Sequence, residues 1–151
     1  MSIAAILDAI TVHAAAAGAA VSPPITDVCV GLPWPRGRCI RVAWSGETAT
    51  PKFPSRFTGE SEMVGDQVVI RAFWPIGSAD EAAHRGRVVE MATLAAELRD
   101  RLDGDATLGG ELPDILEMGY AEPGFEQHGA TVFATLDVQL ELAYREVEIT
   151  R

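Results

Sequence analysis

The clearest hydrophobic pattern lies at the end of the chain. From Val132, Ala134, Leu136, Val138, Leu140 and Leu142 to Tyr144, every even position is apolar. Thr131, Thr135, Asp137, Gln139, Glu141 and Arg145 alternate with them, and Phe133 and Ala143 are the apolar residues on the odd register. Side chains alternate across a strand, so this segment is predicted as a long strand with one greasy face and one mostly wet face. A helical period governs the beginning. Ile3, Ile6, Leu7, Ile10, Ala14, Ala17 and Val21 recur at steps of three and four, which predicts a helix over about residues 2–19. Gly18 and the pair Pro23-Pro24 stop it.

Between these two ends the pattern predicts further strands and a second helix. "TDVCVGL" is a short strand, "PWPRG" a turn, and "RCIRVAWSG" a strand with Ile40, Val42 and Trp44 on one face. "DQVVIRAFW" is a third strand, with Val68, Ile70, Ala72 and Trp74 inward, so both Trp44 and Trp74 are expected in the core. Ser78 and Glu81 form an S-x-x-E capping box before a helix whose buried stripe is predicted as Val88, Met91, Ala95, Leu98 and Leu102. Gly104 stands at its C-terminal cap. "DILEMGYA" is a weaker strand and "EPGFEQHG" a turn before the final strand. From Gly46 to Gly65 no period holds. Pro51, Pro54, Gly59 and a mix of Ser, Thr and Glu predict a long mobile loop there, with Phe53 and Phe57 as its anchors on a partner.

The order helix, three strands, helix, two strands, with one wet face on most strands, predicts a single α+β domain over residues 1–151. Its sheet should be largely antiparallel or mixed, of about five strands, with both helices on one face. Composition agrees: 48% of residues are hydrophobic and 23% charged, which suits a globular core and excludes a disordered chain. The N-terminal segment lacks a basic flank, and Asp8 and His13 interrupt it, so an amphipathic helix is expected rather than a signal peptide or membrane span.

Charge is unevenly placed. Residues 1–76 carry six acids and six bases, while residues 77–151 carry sixteen acids and six bases. Leu102 to Tyr144 holds nine acids and no Lys or Arg, whereas Gly31 to Phe57 sets Arg36, Arg38, Arg41, Lys52 and Arg56 against Glu47 alone. A net charge of −10 argues against tight wrapping of nucleic acid. Two poles of opposite sign would suit a molecule that meets its own copies head to tail, and an acidic, solubilising surface would have the same composition.

Candidate chemistry is sparse. His13, His84 and His128 have no ligand spacing between them, and no P-loop, G-x-G-x-x-G or G-x-S-x-G is present. Asp103 and Asp105 begin an EF-hand-like run, but Leu108 stands where the turn glycine belongs, so a helix end with an acidic turn is expected. Glu60 and Glu62 lie in the long loop and are expected to be solvated. Cys29 and Cys39 flank the Pro-rich turn. A hairpin disulfide and two reduced thiols both remain open, and the lack of an export signal favours the thiols. No nucleophile, base or metal constellation predicts an enzyme, and no cofactor is expected. Trp34, in the Pro-rich turn, is a candidate interface anchor.

Three segments together resemble the tail terminator (tail completion) proteins of long-tailed bacteriophages. They are the first helix "SIAAILDAITVHAAAA", the join "VVIRAFWPIGSADEAAHRGRVVEMATLAAELRDRL" and the late strand "TVFATLDVQLELAYR". The resemblance covers about two thirds of the chain and is one of architecture rather than of a signature motif. It implies a structural virion protein of the tail or neck, assembled in the host cytoplasm. Such a protein forms a ring, typically a hexamer, on the end of the tail tube. The ring stops tube polymerisation and provides the joint to the head. Its partners would be further copies of itself, the tail tube protein and head–tail connector proteins, with DNA only passing through the lumen. On that reading Trp34, Arg36, Arg38, Arg41, Phe53 and Phe57 are candidates for the subunit interface. Asp137 and Glu141, on the wet register of the last strand, are candidates for a DNA-repelling lumen or ring surface. Another neck component, such as a head–tail connector or adaptor, is the alternative, and a cytosolic enzyme or small-molecule binding domain is a third class. Eleven Arg against a single Lys, with abundant Ala, fit a GC-rich genome.

Overall fold

The computed structural model describes residues 3–31, 35–51, 61–77, 81–110, 112, 116–142 and 145–148, of which 47–51, 61–64 and 145–148 are described by their backbone only. The elements run α1 (Ile3–Ala20), β1 (Val28–Val30), β2 (Cys39–Pro51), β3 (Ser61–Pro75), α2 (Glu81–Asp103), β4 (Glu117–His128), β5 (Thr131–Glu141) and β6 (Arg145–Glu148). The fold is α+β, and the predicted order holds with β6 added at the end. One mixed sheet is ordered β1-β2-β3-β5-β4, and β6 pairs with the outer part of β3. All strand pairs are antiparallel except β1 with β2.

The core lies between one face of the sheet and the two helices. α1 buries Ile6, Ile10, Ala14 and Ala17, as its period predicts, and Ile3 at its start stays exposed. This 18-residue helix has the length and hydropathy of a membrane span, and its apolar stripe faces the same core as the strands. Gly18 lets it approach the following segment closely. A Cβ there would stand 2.8 Å from the Ile25 carbonyl oxygen. The even register of β5 forms the floor, with Leu136, Val138 and Leu140 buried opposite Ala72, Ile70 and Val68 of β3. Leu142, just past β5, is buried as well.

α2 meets the core one step around from the predicted stripe. Met91, Leu94, Leu98 and Leu102 are buried, Ala95 is half-buried, and Val88 is 49% exposed. A 3.6-residue period leaves two neighbouring stripes nearly equal in apolar content here, and packing selects the one with three leucines. Ser78 of the predicted capping box lies outside the described residues.

Four further expectations change. β1 runs parallel to β2, in the register Val28↔Ile40 and Val30↔Val42, so the Pro-rich link is not a hairpin turn. The Gly46–Gly65 stretch is not irregular throughout. β2 and β3 stay paired past a bulge at Trp44/Gly46 as far as Pro51↔Glu62, and residues 52–60, with Phe53, Phe57 and Glu60, lie outside the described residues. Trp44 is 50% exposed, because it sits at that bulge where β2 leaves the core; its Nε1–H donates to Asp66 Oδ1 at 3.2 Å. Trp74, by contrast, is buried as expected. Finally, "EPGFEQH" is strand. β4 is an edge strand, where Pro123 and Gly124 are tolerated, and the two-residue turn comes later, at Gly129-Ala130 with Gly129 at φ 61°.

The other face of the sheet carries no helix among the described residues, yet one end of it is covered. Cys39, Phe73 and Phe133 form a second small buried cluster there, with the His128 ring edge-on to both phenylalanines at 6.0 and 5.8 Å. Pro35 of the link before β2 is also buried. Phe133, the apolar exception on the odd register of β5, thus has its own core. Both thiols are free: Cys29 is half-buried and Cys39 fully buried.

Candidate functional site

Three charged networks and one groove account for most of the polar side chains singled out by sequence. The first network is centred on Glu90 of α2. Its Oε2 accepts from Arg38 Nη2 at 2.6 Å, Arg38 Nε at 3.1 Å and Trp74 Nε1 at 2.6 Å. Arg38 also donates to the carbonyls of Pro23 and Pro24. It therefore clamps the segment after α1 and the start of β2 to α2, and is not a free surface charge.

The second network joins Arg41 to Asp27. Both Nη atoms reach the carboxylate at 3.0 Å, and Nη1 also donates to the Asp27 and Ile40 carbonyls. Arg41 is 6% exposed. Its guanidinium holds the Asp27 carboxyl below the usual carboxylate range. The pairing ties the residue before β1 to β2 and explains how a charged side chain is tolerated at a buried position. Of the three arginines proposed for an interface, Arg36 alone is exposed without a bonded partner among the described residues. Trp34, Phe53 and Phe57 lie outside the described residues.

The third network lies on the helix-free face. Arg71 of β3 makes a bidentate pair with Asp137 of β5, at 2.6 and 2.8 Å, and reaches Glu126 of β4 at 3.1 Å. Glu126 Oε1 lies 2.8 Å from His128 Nε2. Asp137 is thus a cross-strand ion-pair partner, one residue of a ladder that crosses three strands. Glu141 is half-buried on the same face, opposite Gln67 and Glu117. A shallow pocket of about 290 Å³ opens beside Arg41, Arg71 and Glu126. Periodicity places Asp137 and Glu141 on this face. The alternation of Arg71 with the β3 core residues was the signal for the partner of Asp137.

The acidic turn after α2 also closes on itself. Asp105 accepts from the Gly109 N–H at 2.7 Å and contacts His13 Nε2 at 2.7 Å. His13 and then that N–H hold its carboxyl below the ordinary range. The turn joins the end of α2 to α1, which is the role expected of a helix end rather than of a cation loop. No group of His, Cys, Asp and Glu among the described residues is arranged to hold a metal ion. Burial pushes the Cys39 thiol up to about 11, which makes it a poor nucleophile.

The groove was not anticipated from sequence. It has a volume of about 910 Å³ and runs along the N-terminal half of α2. Ala82, Gly86, Val89 and Thr93 form one wall, Val21, Pro23 and Trp74 the other, and Arg85 and Arg87 stand at it. The β4–β5 hairpin exposes a second apolar strip. Phe125 is 70% exposed and Val132 40%. Phe125 pairs with Ala134, so both point to the helix side of the sheet, beyond the helix cover. Tyr120, at the β4 bulge, is 67% exposed.

No protein-family model matches the chain, and no curated protein matches it.

Proposed function

We propose that this protein is a ring-forming structural protein of a phage tail, which caps the tail tube, ends its polymerisation and forms the joint to the head. The observation that carries the reading is the long β2–β3 hairpin. The two strands stay paired past the bulge at Trp44/Gly46 for six more positions, from Gly46↔Gln67 to Pro51↔Glu62. At about 3.4 Å per residue this arm is roughly 20 Å long. β6 folds back along it, pairing Ser61–Val64 with Arg145–Glu148. An arm of that length suits contact with a neighbour or with a tube.

Two other features support the reading. The Arg38–Glu90, Arg41–Asp27 and Arg71–Asp137 pairs each tie one part of the fold to another, which is the work of a scaffold. The helix-free face carries Glu117, Glu122, Glu126, Asp137 and Glu141 on β4 and β5 against Arg71. Facing a lumen, such a surface would keep DNA phosphates from sticking. The test is electron microscopy of the purified protein, alone and with tubes of the tail tube protein from the same phage. Rings that seat on tube ends and stop their growth are expected. Rings that bind portal-bearing heads and ignore tubes would assign the chain to another neck component, and a monomer under all conditions would overturn the reading.

A further inference from the structure

Beyond the bulge at Trp44/Gly46 the arm is a three-stranded ribbon, β2-β3-β6, and its backbone directions follow from those of the core. There β2 turns alternate residues to β1. The Ile40 N–H donates to the Asp27 carbonyl, and the Val42 carbonyl accepts from the Gly31 N–H. Arg41 and Ala43, between and after them, therefore turn their backbone groups to β3. The bulge adds one residue to β2, so the parity changes. Past it, Gly46, Thr48 and Thr50 bond to Gln67, Gly65 and Met63 of β3, and Glu47, Ala49 and Pro51 turn their backbone groups outward. Pro51, which has no N–H to offer a ladder, stands at one of these outward positions. On the other side of β3, the Asp66 carbonyl accepts from the Leu142 N–H. The same alternation bonds Val64 and Glu62 to Arg145 and Val147, and turns Glu146 and Glu148 outward.

Both outer edges of the ribbon are open. Among the described residues, β1 pairs with β2 only from Ile40 to Val42, and β6 pairs with β3 alone. β2 and β6 each run antiparallel to β3, so they run in the same direction as each other. We propose that β6 of one copy adds to the open edge of β2 in the next copy as a parallel strand, and that this ladder, centred on Ala49 and on Glu148 of the partner subunit, is the head-to-tail contact of the ring.

The inference rests on the ring reading and names its interface. The occupant is a second copy because placement and direction both fit. The two edges lie on opposite sides of one ribbon, so each copy offers one edge to the copy before it and the other to the copy after. A rotation by a fraction of a turn about an axis along the arm keeps strand direction, as a parallel ladder requires, and its repetition closes a ring. A two-fold contact of β2 with β2 would be antiparallel and would leave β6 unused. β4 is also a sheet edge, but Pro123 and the bulge between Met118 and Ala121 interrupt it. Glu47 to Thr50 holds neither a Pro nor a bulge.

Hydrogen exchange of the wild type tests the contact, with the ring dissociated in the acid quench and single amides read by fragment mass spectrometry. Ala49 and Glu148 are expected to exchange at least about tenfold more slowly in the ring than in the dilute monomer. Thr48 and Thr50, already bonded to β3, should be protected in both. Ala49→Pro removes an outward N–H and no bond within its own hairpin. It should leave the circular dichroism of the monomer unchanged and lower the ring population at least about tenfold by mass photometry. A wild type that stays monomeric at every concentration overturns the ring reading, and this contact with it. Rings in which Ala49 and Glu148 exchange as in the monomer, or rings formed by Ala49→Pro as by the wild type, overturn this contact and leave the ring reading standing. A dimer with Ala49 protected and Glu148 not, or protection that appears only when tail tube protein is added, gives the edge another occupant and overturns the pairing of β6 with β2.

Discussion

Removing the Glu90 carboxylate is a direct probe of the clamp that ties α2 to the rest of the fold. Glu90→Ala deletes three contacts at once. The Arg38–Glu90 pair is mostly shielded, with side chains 22% and 19% exposed, and a hydrogen bond to a charged group is worth about 1.5–3 kcal/mol net. Trp74, 4% exposed, loses the acceptor of its indole N–H, and an orphaned buried donor costs about 1–3 kcal/mol. Two offsets apply. Arg38 keeps the Pro23 and Pro24 carbonyls, and Ala is a better helix former than Glu by a few tenths of a kcal/mol. The groove also admits water to one side of the indole. The balance is a loss of about 2–4 kcal/mol. Glu90→Gln keeps an oxygen for Trp74 and removes only the charge, so it should lose about 1–2 kcal/mol. Urea unfolding followed by Trp fluorescence and by circular dichroism measures both, with an unchanged m-value expected. Losses below about 0.5 kcal/mol for both variants would show that the clamp is ornamental and that Arg38 is free to act at a surface.

Gly18→Ala should destabilise by about 1–3 kcal/mol although Ala favours helix, because its Cβ would press on the Ile25 carbonyl at 2.8 Å and on Ile40 at 3.1 Å; a gain in stability in thermal or chemical unfolding would contradict that packing. Asp27 has a folded-state pKa depressed by Arg41, so its contribution is present above the unfolded value of about 3.9 and is lost as pH falls through the folded one. Asp27→Asn should therefore cost about 1 kcal/mol at pH 7, discounted for a carboxylate 52% exposed, and the difference from wild type should vanish toward pH 2; a difference that persists there would refute the linkage. Iodoacetamide at pH 8 should label half-buried Cys29 before Cys39, whose thiol is buried and pushed up to about 11; mass spectrometry showing equal labelling of the folded protein would refute that order.

The fold was legible where one period dominates. α1 and the even register of β5 each carry a single unbroken apolar series, and both bury most of the residues the period names, with Ile3 and Val132 at their starts exposed. It failed where a local signal competed with pairing. Pro123 and Gly124 look like a turn, but an edge strand needs no donor on its outer side and accepts them. Gly46 to Gly65 has no apolar alternation, so nothing in its pattern announced the backbone pairing of Gly46–Pro51 with Glu62–Gln67. The parallel pairing of β1 with β2 has no sequence signal, since a short link rich in Pro and Gly reads as a hairpin. The site was less legible than the fold. Composition marked Arg38 and Arg41 as a basic pole, but their partners Glu90 and Asp27 come from elements 52 and 14 residues away. The groove needs the end of α1, the end of β3 and α2 to meet, and no single stretch of sequence records that meeting.

The account stands or falls on whether this chain closes into a ring. Native mass spectrometry of the purified protein over a hundredfold range of concentration tests it most directly. A single dominant oligomer of fixed copy number, replacing the monomer without an open-ended ladder, is the predicted result. A monomer of 16.1 kDa at every concentration, or a continuous ladder of growing chains, would contradict it.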